Sequence, residues 1–182
     1  MEEIFIENKT FANADFTATS FQRGEYENCK FNNCDFYEMD FSASKFIDCE
    51  FNNCNLGLIK LIKTTFRDSK FIGCKMIGLL FENCSDFGLS FSSENCMLNH
   101  SSFYKTKVKH TIFSNSQLHE VDFTVCDLTG AVFDNCDLLN AKFENSVLEK
   151  TDFRTAISYA INPELNRIKH AKFSLAGVTG LL

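Results

Sequence analysis

The chain has 182 residues, of which 45% are hydrophobic, with 21 Phe, nine Cys, one Pro and no Trp. This length suits one domain with a substantial core. The net charge of −6 argues against a general nucleic-acid binder. No window approaches the ~18 apolar residues of a membrane span, and the acidic start MEEIFIENKT does not resemble a secretory signal. We therefore expect a cytoplasmic protein with free thiols.

A large apolar residue returns at every fifth position along most of the chain, and we call these residues centres. Centres run from Ile6 to Phe91, interrupted by Asp86, and in a second register from Leu98 to Phe153; they include 18 of the 21 Phe. Neither an α-helix nor a strand returns a residue to one face after five steps. The chain must instead bend at each repeat, and four bends would close a coil of 20 residues.

Charges 20 residues apart support this coil length. At the position before the centre, six pairs of opposite charge are separated by 20 residues, against one like-charged pair, Asp15 and Asp35. Each such pair stabilises the fold by at most ~1 kcal/mol, so the pairs matter here as evidence for the length of the coil. The six pairs are Glu25–Lys45, Lys30–Glu50, Glu50–Lys70, Asp40–Lys60, Lys107–Asp127 and Asp122–Lys142.

All nine cysteines lie two positions before a centre, in both registers. Other occupants of this position are small, such as Ala14, Ser44 and Thr64. The pattern predicts a second inward position, in which cysteine serves as a small buried hydrophobe. Zinc favours four converging ligands in closer pairs, and cysteines on successive coils would point in parallel. We therefore predict no metal site, no disulfide and no cofactor.

The units CDFYE, CDLTG, AVFDN, CDLLN, AKFEN and TDFRT resemble A-[DN]-[LF]-x-x, the consensus of the pentapeptide repeat proteins. The resemblance covers about residues 4–155. It implies an all-β fold, a right-handed quadrilateral β-helix with inward ladders such as Phe31–Phe51–Phe71–Phe91. The Asn that often precedes Cys falls at a corner, where Asn tolerates turn geometry. We expect the β-helix to occupy residues 1–155 and a short helix with a capping or dimerisation tail to occupy residues 156–182.

The repeat is interrupted between Met76 and His100. Asp86 stands where a centre belongs, and two extra residues shift the register before Leu98. A lone buried Asp is costly, so we expect either a bulge there or Phe87 in the inward position. We predict a loop or distorted coil within 84–97, with the extra residues in SSENCM. Relatives of the quinolone-resistance type carry projecting loops, whereas a tolerated surface insertion is the alternative.

The tail is expected to cover the open end of the solenoid. Asn162 can cap and Pro163 can open a short helix through ELNRIK. An open β-helix end exposes core side chains and strand edges, so the tail either caps its own rod or pairs with a second copy. The resemblance to quinolone-resistance members, which join end to end, favours a homodimer. The candidate capping and dimer residues are Phe173, Leu175, Val178, Leu181 and Leu182.

The sequence predicts no enzyme. His100, His110, His119 and His170 fall on outward positions or in the tail, and nothing sets them beside a nucleophile and an orienting acid. Phosphate-loop and zinc-protease motifs are absent from the sequence. A filled β-helix also lacks an interior cleft.

Two functions remain open. The resemblance to quinolone-resistance and microcin-immunity members implies a DNA mimic that modulates DNA gyrase. Thirty units would form a rod of roughly 36 Å, and DNA of that length carries about 21 charges. A net charge of −6 limits mimicry to local acidic zones. The candidate contact acids are Asp15, Asp35, Glu38, Asp48, Asp134, Asp137 and Glu144.

The alternative is an interaction or structural rod with an unrelated protein partner, because a fold does not fix a function. Apolar residues at outward positions would then belong to the contact face. These residues are Leu58, Ile62, Ile72 and Ile77. Neither function involves direct binding to nucleic acid or to a membrane.

Overall fold

The computed structural model describes residues 4–19, 21–85 and 87–181. Ten short strands in these residues form one parallel sheet that winds as a solenoid, which confirms the predicted β-helix. The strands are β1 (Ile4–Glu7), β2 (Thr10–Ala12), β3 (Gly24–Glu27), β4 (Lys30–Asn32), β5 (Lys45–Ile47), β6 (Glu50–Asn52), β7 (Thr65–Ile72), β8 (Leu89–Glu94), β9 (Ile112–Ser114) and β10 (Val132–Asp134).

Each coil has four faces, which we name by the centres that point inward from them. Face A carries Phe31 and Phe51, face B carries Phe36 and Leu56, face C carries Phe41 and Leu61, and face D carries Tyr26 and Phe46. All eight side chains are buried. Faces A and D contain all ten strands, whereas faces B and C are joined by single bridges between coils.

The corners between faces require a left-handed backbone. The residue two positions after a centre has positive φ through most of the rod, for example 52° at both Asn33 and Asn53. Asn tolerates this conformation because its short polar side chain bonds locally. The predicted corner role of the Asn before Cys is therefore confirmed at these positions.

Successive coils are 20 residues apart, as predicted. Phe31 pairs with Phe11 on one side and with Phe51 on the other, and their rings stack. The centroids of Phe31 and Phe51 are 4.7 Å apart with an interplanar angle of 11°. Rings on neighbouring faces meet edge to face, as Phe31 and Phe36 do at 5.6 Å. Each buried centre contributes roughly 1.5–3 kcal/mol before conformational entropy is counted.

The charged columns are in the predicted register, but only some predicted partners form ion pairs. Lys45 Nζ lies 3.0 Å from Glu25 Oε2, and Lys30 Nζ lies 4.0 Å from Glu50 Oε2. The predicted partners of two other acids are replaced, because long side chains reach across a corner. Asp40 pairs with Arg23 instead of Lys60, and Asp127 pairs with Lys109 instead of Lys107.

All nine cysteines are free and buried, which confirms their predicted packing role. Side chains at this position also donate a hydrogen bond to a backbone carbonyl, a role that the sequence pattern did not reveal. Cys54 Sγ donates to the carbonyl of Phe31 at 3.3 Å, and Thr64 Oγ1 donates to that of Phe41 at 2.8 Å. Burial raises the pKa of Cys49 to about 12, so this thiol stays neutral and unreactive at physiological pH.

The two extra residues are accommodated earlier than predicted. Ser85 still donates to the carbonyl of Thr64 in the regular register, whereas Leu89 pairs with Phe66 and Phe91 pairs with Ser69. The insertion therefore lies between Ser85 and Phe91, and its predicted place in SSENCM is wrong. The pairing of β7 with β8 changes register between Phe66 and Ser69, and this change absorbs the two extra residues.

This shift moves Phe91 off the centre position. Ser93 occupies the centre opposite Phe71 and Phe113, and Ser93 Oγ is buried without a hydrogen-bond partner among the described residues. The Phe91 ring fills the space instead and meets Phe71 edge to face at 5.8 Å and 79°. The predicted stack of Phe91 on Phe71 is therefore wrong.

Phe87 does not take the inward place of Asp86. Its side chain is 100% exposed, so that prediction is wrong. Asp86 itself lies outside the described residues. A short 3-10 helix, Phe81–Asn83, precedes this segment.

The solenoid extends beyond residue 155. Arg167 pairs with Val147, and the Phe173 ring stacks on Phe153 at 5.4 Å. The predicted helix through ELNRIK is wrong: the side chain of Asn166 bonds to Ser146 N and to the carbonyl of Phe143, which holds this segment in a coil. The helix at this end is instead a 3-10 helix, Ala176–Leu181. Within the described residues, neither helix has the length and apolar character needed to cross a bilayer.

Candidate interaction surfaces

Face B begins with an uncompensated acidic cluster, which we define as Asp15, Asp35 and Glu38. Asp15 and Asp35 are direct partners on neighbouring coils, so two like charges lie about one strand spacing apart, ~4.8 Å. No member of the cluster forms an ion pair within the described residues. Like charges placed opposite each other are unfavourable, so this cluster weakens the rod that carries it.

Local hydrogen bonds orient the carboxylates of Asp15 and Asp35. Thr17 donates to Asp15 Oδ1 from its hydroxyl at 2.5 Å and from its backbone N–H at 2.9 Å. The bond from the Thr17 side chain lowers the pKa of Asp15. Asp35 Oδ1 accepts from Tyr37 N at 2.9 Å and from Asn55 Nδ2 at 3.1 Å.

The other four candidate acids do not join this cluster. Asp137 lies farther along face B, 2.9 Å from His119 Nε2. Burial raises the pKa of Asp137, but hydrogen bonds from His119 and Ser158 outweigh it, and the pKa lies below its ordinary value. The remaining three acids occupy other faces: Asp134 lies on face A, Glu144 on face C and Asp48 at the corner after face D.

A partly exposed apolar strip begins beside the acidic cluster and continues along face B. Tyr37, Gly57 and Ile77 stack on successive coils, and a Cβ on Gly57 would lie 3.2 Å from the Tyr37 ring. Leu58 covers Gly78, whose φ of 70° and close contact both favour glycine. Tyr37 is 42% exposed and Leu58 is 46% exposed. We define the apolar strip as Tyr37, Gly57, Leu58, Ile77 and Gly78.

The apolar residues predicted from the sequence are only partly gathered in this strip. Leu58 and Ile77 belong to it, whereas Ile62 is exposed on face C and Ile72 is half-buried on face A. Tyr37 was not among the predicted apolar residues. Its 20-residue spacing from Gly57 was the signal that would have identified it.

A cleft of about 490 Å³ lies beside the register shift. Its wall includes Phe87, Tyr104, Lys105, Lys107 and Glu82. Burial raises the pKa of Glu82, and Glu82 Oε2 has no hydrogen-bond partner among the described residues. The cleft is thus lined by two cations and one acid. This mixture of charges does not define a single class of ligand.

The repeat architecture agrees with a comparison against known families. The model of the pentapeptide repeat region matches residues 4–76, 25–93 and 79–153. The chain belongs to the pentapeptide repeat family. No curated protein sequence matches it.

Among solved structures, one with a TM-score above 0.5 shares this fold at low sequence identity. A trypsin-treated form of QnrB1, a plasmid-mediated fluoroquinolone resistance protein, matches with a TM-score of 0.75 and 15% identity over 96% of this chain and 86% of that one. Full-length QnrB1 matches with a TM-score of 0.49 and 15% identity, and the match covers 96% of both chains. HetL, from the cyanobacterium Nostoc sp. Strain PCC 7120, is involved in heterocyst differentiation regulation. HetL matches with a TM-score of 0.41 and 16% identity over 96% of this chain and 86% of the HetL chain.

The histidines of this pentapeptide repeat protein lie on its surface, where the sequence places them. His100 Nδ1 lies 3.3 Å from Glu120 Oε2, and His110 lies against Gly130. His170 is an exposed corner residue with positive φ. Within the described residues, no three His, Cys, Asp or Glu side chains are grouped as metal ligands.

The C-terminal residues divide between capping and exposure. Phe173 and Leu181 pack against the core of their own rod, and Ile161 N donates to the carbonyl of Gly180 at 2.7 Å. Leu175 is 93% exposed and Val178 is 42% exposed. Leu182 lies outside the described residues. The tail thus closes its own rod and leaves two apolar side chains on the outside.

Proposed function

We propose that this protein is a non-enzymatic binder that presents the acidic cluster of face B to a basic partner, with DNA gyrase or a related topoisomerase as the candidate. The observation that carries the proposal is the stacking of Asp15 on Asp35 without a neutralising cation in the described residues. Cations of a partner would relieve the repulsion between these carboxylates. The DNA-binding channel of a topoisomerase offers such cations.

Two further considerations support a topoisomerase. The repeat units resemble those of quinolone-resistance members, and QnrB1 is a fluoroquinolone resistance protein. Stacked coils repeat every ~4.8 Å, compared with one charge per ~1.7 Å in duplex DNA, so the cluster imitates a short stretch of phosphates rather than a whole duplex. The proposal includes a cytoplasmic location, where thiols remain reduced.

A supercoiling assay tests this function. We expect purified protein to change gyrase supercoiling, or to relieve its inhibition by a quinolone, at stoichiometric concentration. The triple variant Asp15→Asn, Asp35→Asn, Glu38→Gln should lose at least tenfold in potency, because each charge pair at an interface contributes measurable binding energy. The control is Glu7→Gln, Glu94→Gln, Glu164→Gln, which removes the same charge from exposed positions outside face B. Absence of any effect of the wild-type protein would overturn the proposal.

The apolar strip favours a second candidate, a protein partner unrelated to topoisomerases. Leu58 on face B and Ile62 on face C are 46% and 55% exposed, and both follow the acidic cluster along the rod. Affinity purification from the native cell would identify such a partner. Leu58→Asp and Ile62→Asp should abolish its capture, while the supercoiling assay shows no effect.

We further propose that the C-terminal end joins two copies end to end through Leu175 and Val178. Both side chains are exposed beside a helix that already closes its own rod. Leu175→Asp should remove this dimer in sedimentation velocity, whereas Val125→Asp, at an exposed position outside the tail, should retain it. A wild-type protein without an end-to-end dimer would contradict the proposal.

A further inference from the structure

Three successive residues of one column on face B place opposite charges on either side of a neutral residue. Asp35, Asn55 and Lys75 are backbone partners on three successive coils. Asp35 therefore lies one coil before Asn55, and Lys75 lies one coil after it. Neither Asp35 nor Lys75 forms an ion pair within the described residues. Opposite unpaired charges at equal distances from a neutral residue are self-complementary.

The apolar strip beside this column has the same centre. Tyr37 and Ile77 lie one coil to either side of Gly57, and the Tyr37 ring packs over Gly57. Leu58 is exposed at the same central coil. The polar column and the apolar strip thus share a midpoint at residues 55–58.

We propose that face B docks antiparallel on face B of a second copy, about a twofold axis that passes Asn55 and Leu58. The axis lies in the plane of the interface, perpendicular to the rod. Asp35 of each copy then faces Lys75 of the other, Tyr37 faces Ile77, and Leu58 faces itself. An isologous interface requires this self-complementarity.

Charge selects the antiparallel orientation. If the two rods docked parallel, Asp35 and Glu38 of one copy would lie against the same acids of the other copy. Like charges brought together across an interface suppress association. In the antiparallel arrangement the acidic cluster of each copy lies over the coils that carry Lys75 and His100.

The interface is small, so the dimer is weak and reversible. The docked segment spans about five coils, roughly 24 Å at the spacing of paired strands. Interfaces well below ~1,000 Å² support transient association. The inference stands independently of the proposed function. It adds one consequence, because a dimer that covers Asp35 competes with a basic partner for the acidic cluster.

A charge-exchange experiment tests the docking. Sedimentation velocity in a Leu175→Asp background, at concentrations up to about 0.1 mM, would measure the dissociation constant of each variant. Asp35→Lys and Lys75→Asp should each weaken dimerisation at least tenfold, because each places two like-charged pairs in the interface. The double variant, and a mixture of the two single variants, should restore it. Asp48→Lys, on another corner, is the control and should leave dimerisation unchanged.

Crosslinking separates this dimer from an end-to-end dimer. In a Leu175→Asp background, Leu58→Cys should form a disulfide between two copies on mild oxidation, since the two side chains meet on the axis. Leu139→Cys is the matched control, because Leu139 is also 46% exposed but lies outside the docked coils. Equal crosslinking of both variants, or association insensitive to charge exchange, would overturn the proposal. A wild-type protein that stays monomeric throughout would also overturn it.

Discussion

The two halves of the rod fill the same kind of coil with different side chains. Before the register shift the centres are mostly aromatic, and one coil, Tyr26, Phe31, Phe36 and Phe41, contains four aromatic centres. Later coils of this aromatic half include Leu56, Leu61 and Met76. After it, Phe on faces A and C alternates with Leu on faces B and D, as in Phe113, Leu118, Phe123 and Leu128.

Stacking along the rod is common to both halves. Phe31 stacks on Phe51 at 4.7 Å, and Phe113 stacks on Phe133 at 5.0 Å. The composition of a coil varies along the rod, and a ladder can change too, as face B does from Phe36 to Leu56 and face C from Phe41 to Leu61. Backbone pairing fixes the vertical spacing, so aromatic rings that follow one another in a ladder stack.

The largest expected effect is a cavity in the aromatic half. Phe51→Ala should lower the free energy of unfolding by about 3–5 kcal/mol, because Phe51 is fully buried between Phe31 and Phe71. Leu118→Ala in the mixed half should cost less, roughly 2–4 kcal/mol, since fewer atoms are removed. Urea unfolding measures both, with Leu139→Ala as an exposed control expected within about 0.5 kcal/mol. A larger loss at Leu118 than at Phe51 would contradict this comparison.

The boundary between the halves offers a test of the shifted packing. Phe91→Ser should cost about 3–5 kcal/mol through the cavity it leaves, and Ser93→Phe should cost about 1–3 kcal/mol through crowding. The double variant places one ring on the regular centre and should be more stable than the sum of the two changes predicts. A double-mutant cycle measures this coupling. Strict additivity would show that Phe91 does not fill the site opened by Ser93.

The inward position before the centre should behave alike in both halves. Cys54→Ser should change stability by no more than ~1 kcal/mol, because a hydroxyl can donate to the carbonyl of Phe31 as the thiol does. Ser146 already donates in this way to Phe123 at 2.7 Å in the mixed half. Cys54→Val should destabilise the protein more than Cys54→Ser, since valine is larger than cysteine and has no hydrogen-bond donor. Thermal unfolding ranks the two variants, and a less stable Ser variant would refute the donor role.

The smallest effect concerns a surface carboxylate in the mixed half. The hydrogen bond from Arg154 lowers the pKa of Asp152 below its ordinary value of 3.8. A carboxyl whose pKa falls on folding contributes stability above its unfolded pKa, and this stability is lost as the pH falls through the folded pKa. Arg154→Gln should therefore be less stable than wild type at pH 7, with the difference narrowing below about pH 4. Urea unfolding at several pH values checks this, and a difference that widens in acid would contradict it.

Repetition made much of the fold predictable. Thirty units repeat the same inward pair, so the burial of Cys54 and Phe51 and the corner at Asn53 follow from local spacing. The same signal failed at Phe91, which keeps the five-residue spacing but leaves the centre position. Spacing cannot reveal where strand pairing absorbs two extra residues, because that depends on the neighbouring coil.

The candidate surfaces were predicted less completely. The sequence identified Asp15, Asp35, Leu58 and Ile77, but it also supplied acids that the fold distributes over other faces, such as Asp48 and Glu144. Outward positions carry little periodic signal, since solvent tolerates most side chains there. Tyr37 acquires its place beside Gly57 only when the coils are stacked.

The sequence by itself determined the 20-residue coil, the inward thiols and rings, and the left-handed corners, because each depends on residues a few positions apart. Tertiary structure alone decided the place of the register shift, the continuation of the coil through Asn166, and the ion pairs of Asp40 and Asp127. These features depend on contacts between coils, where a side chain selects among several neighbours of similar energy. The same contacts gather an acidic cluster, an apolar strip and Lys75 on one face, and that face carries the functional proposals.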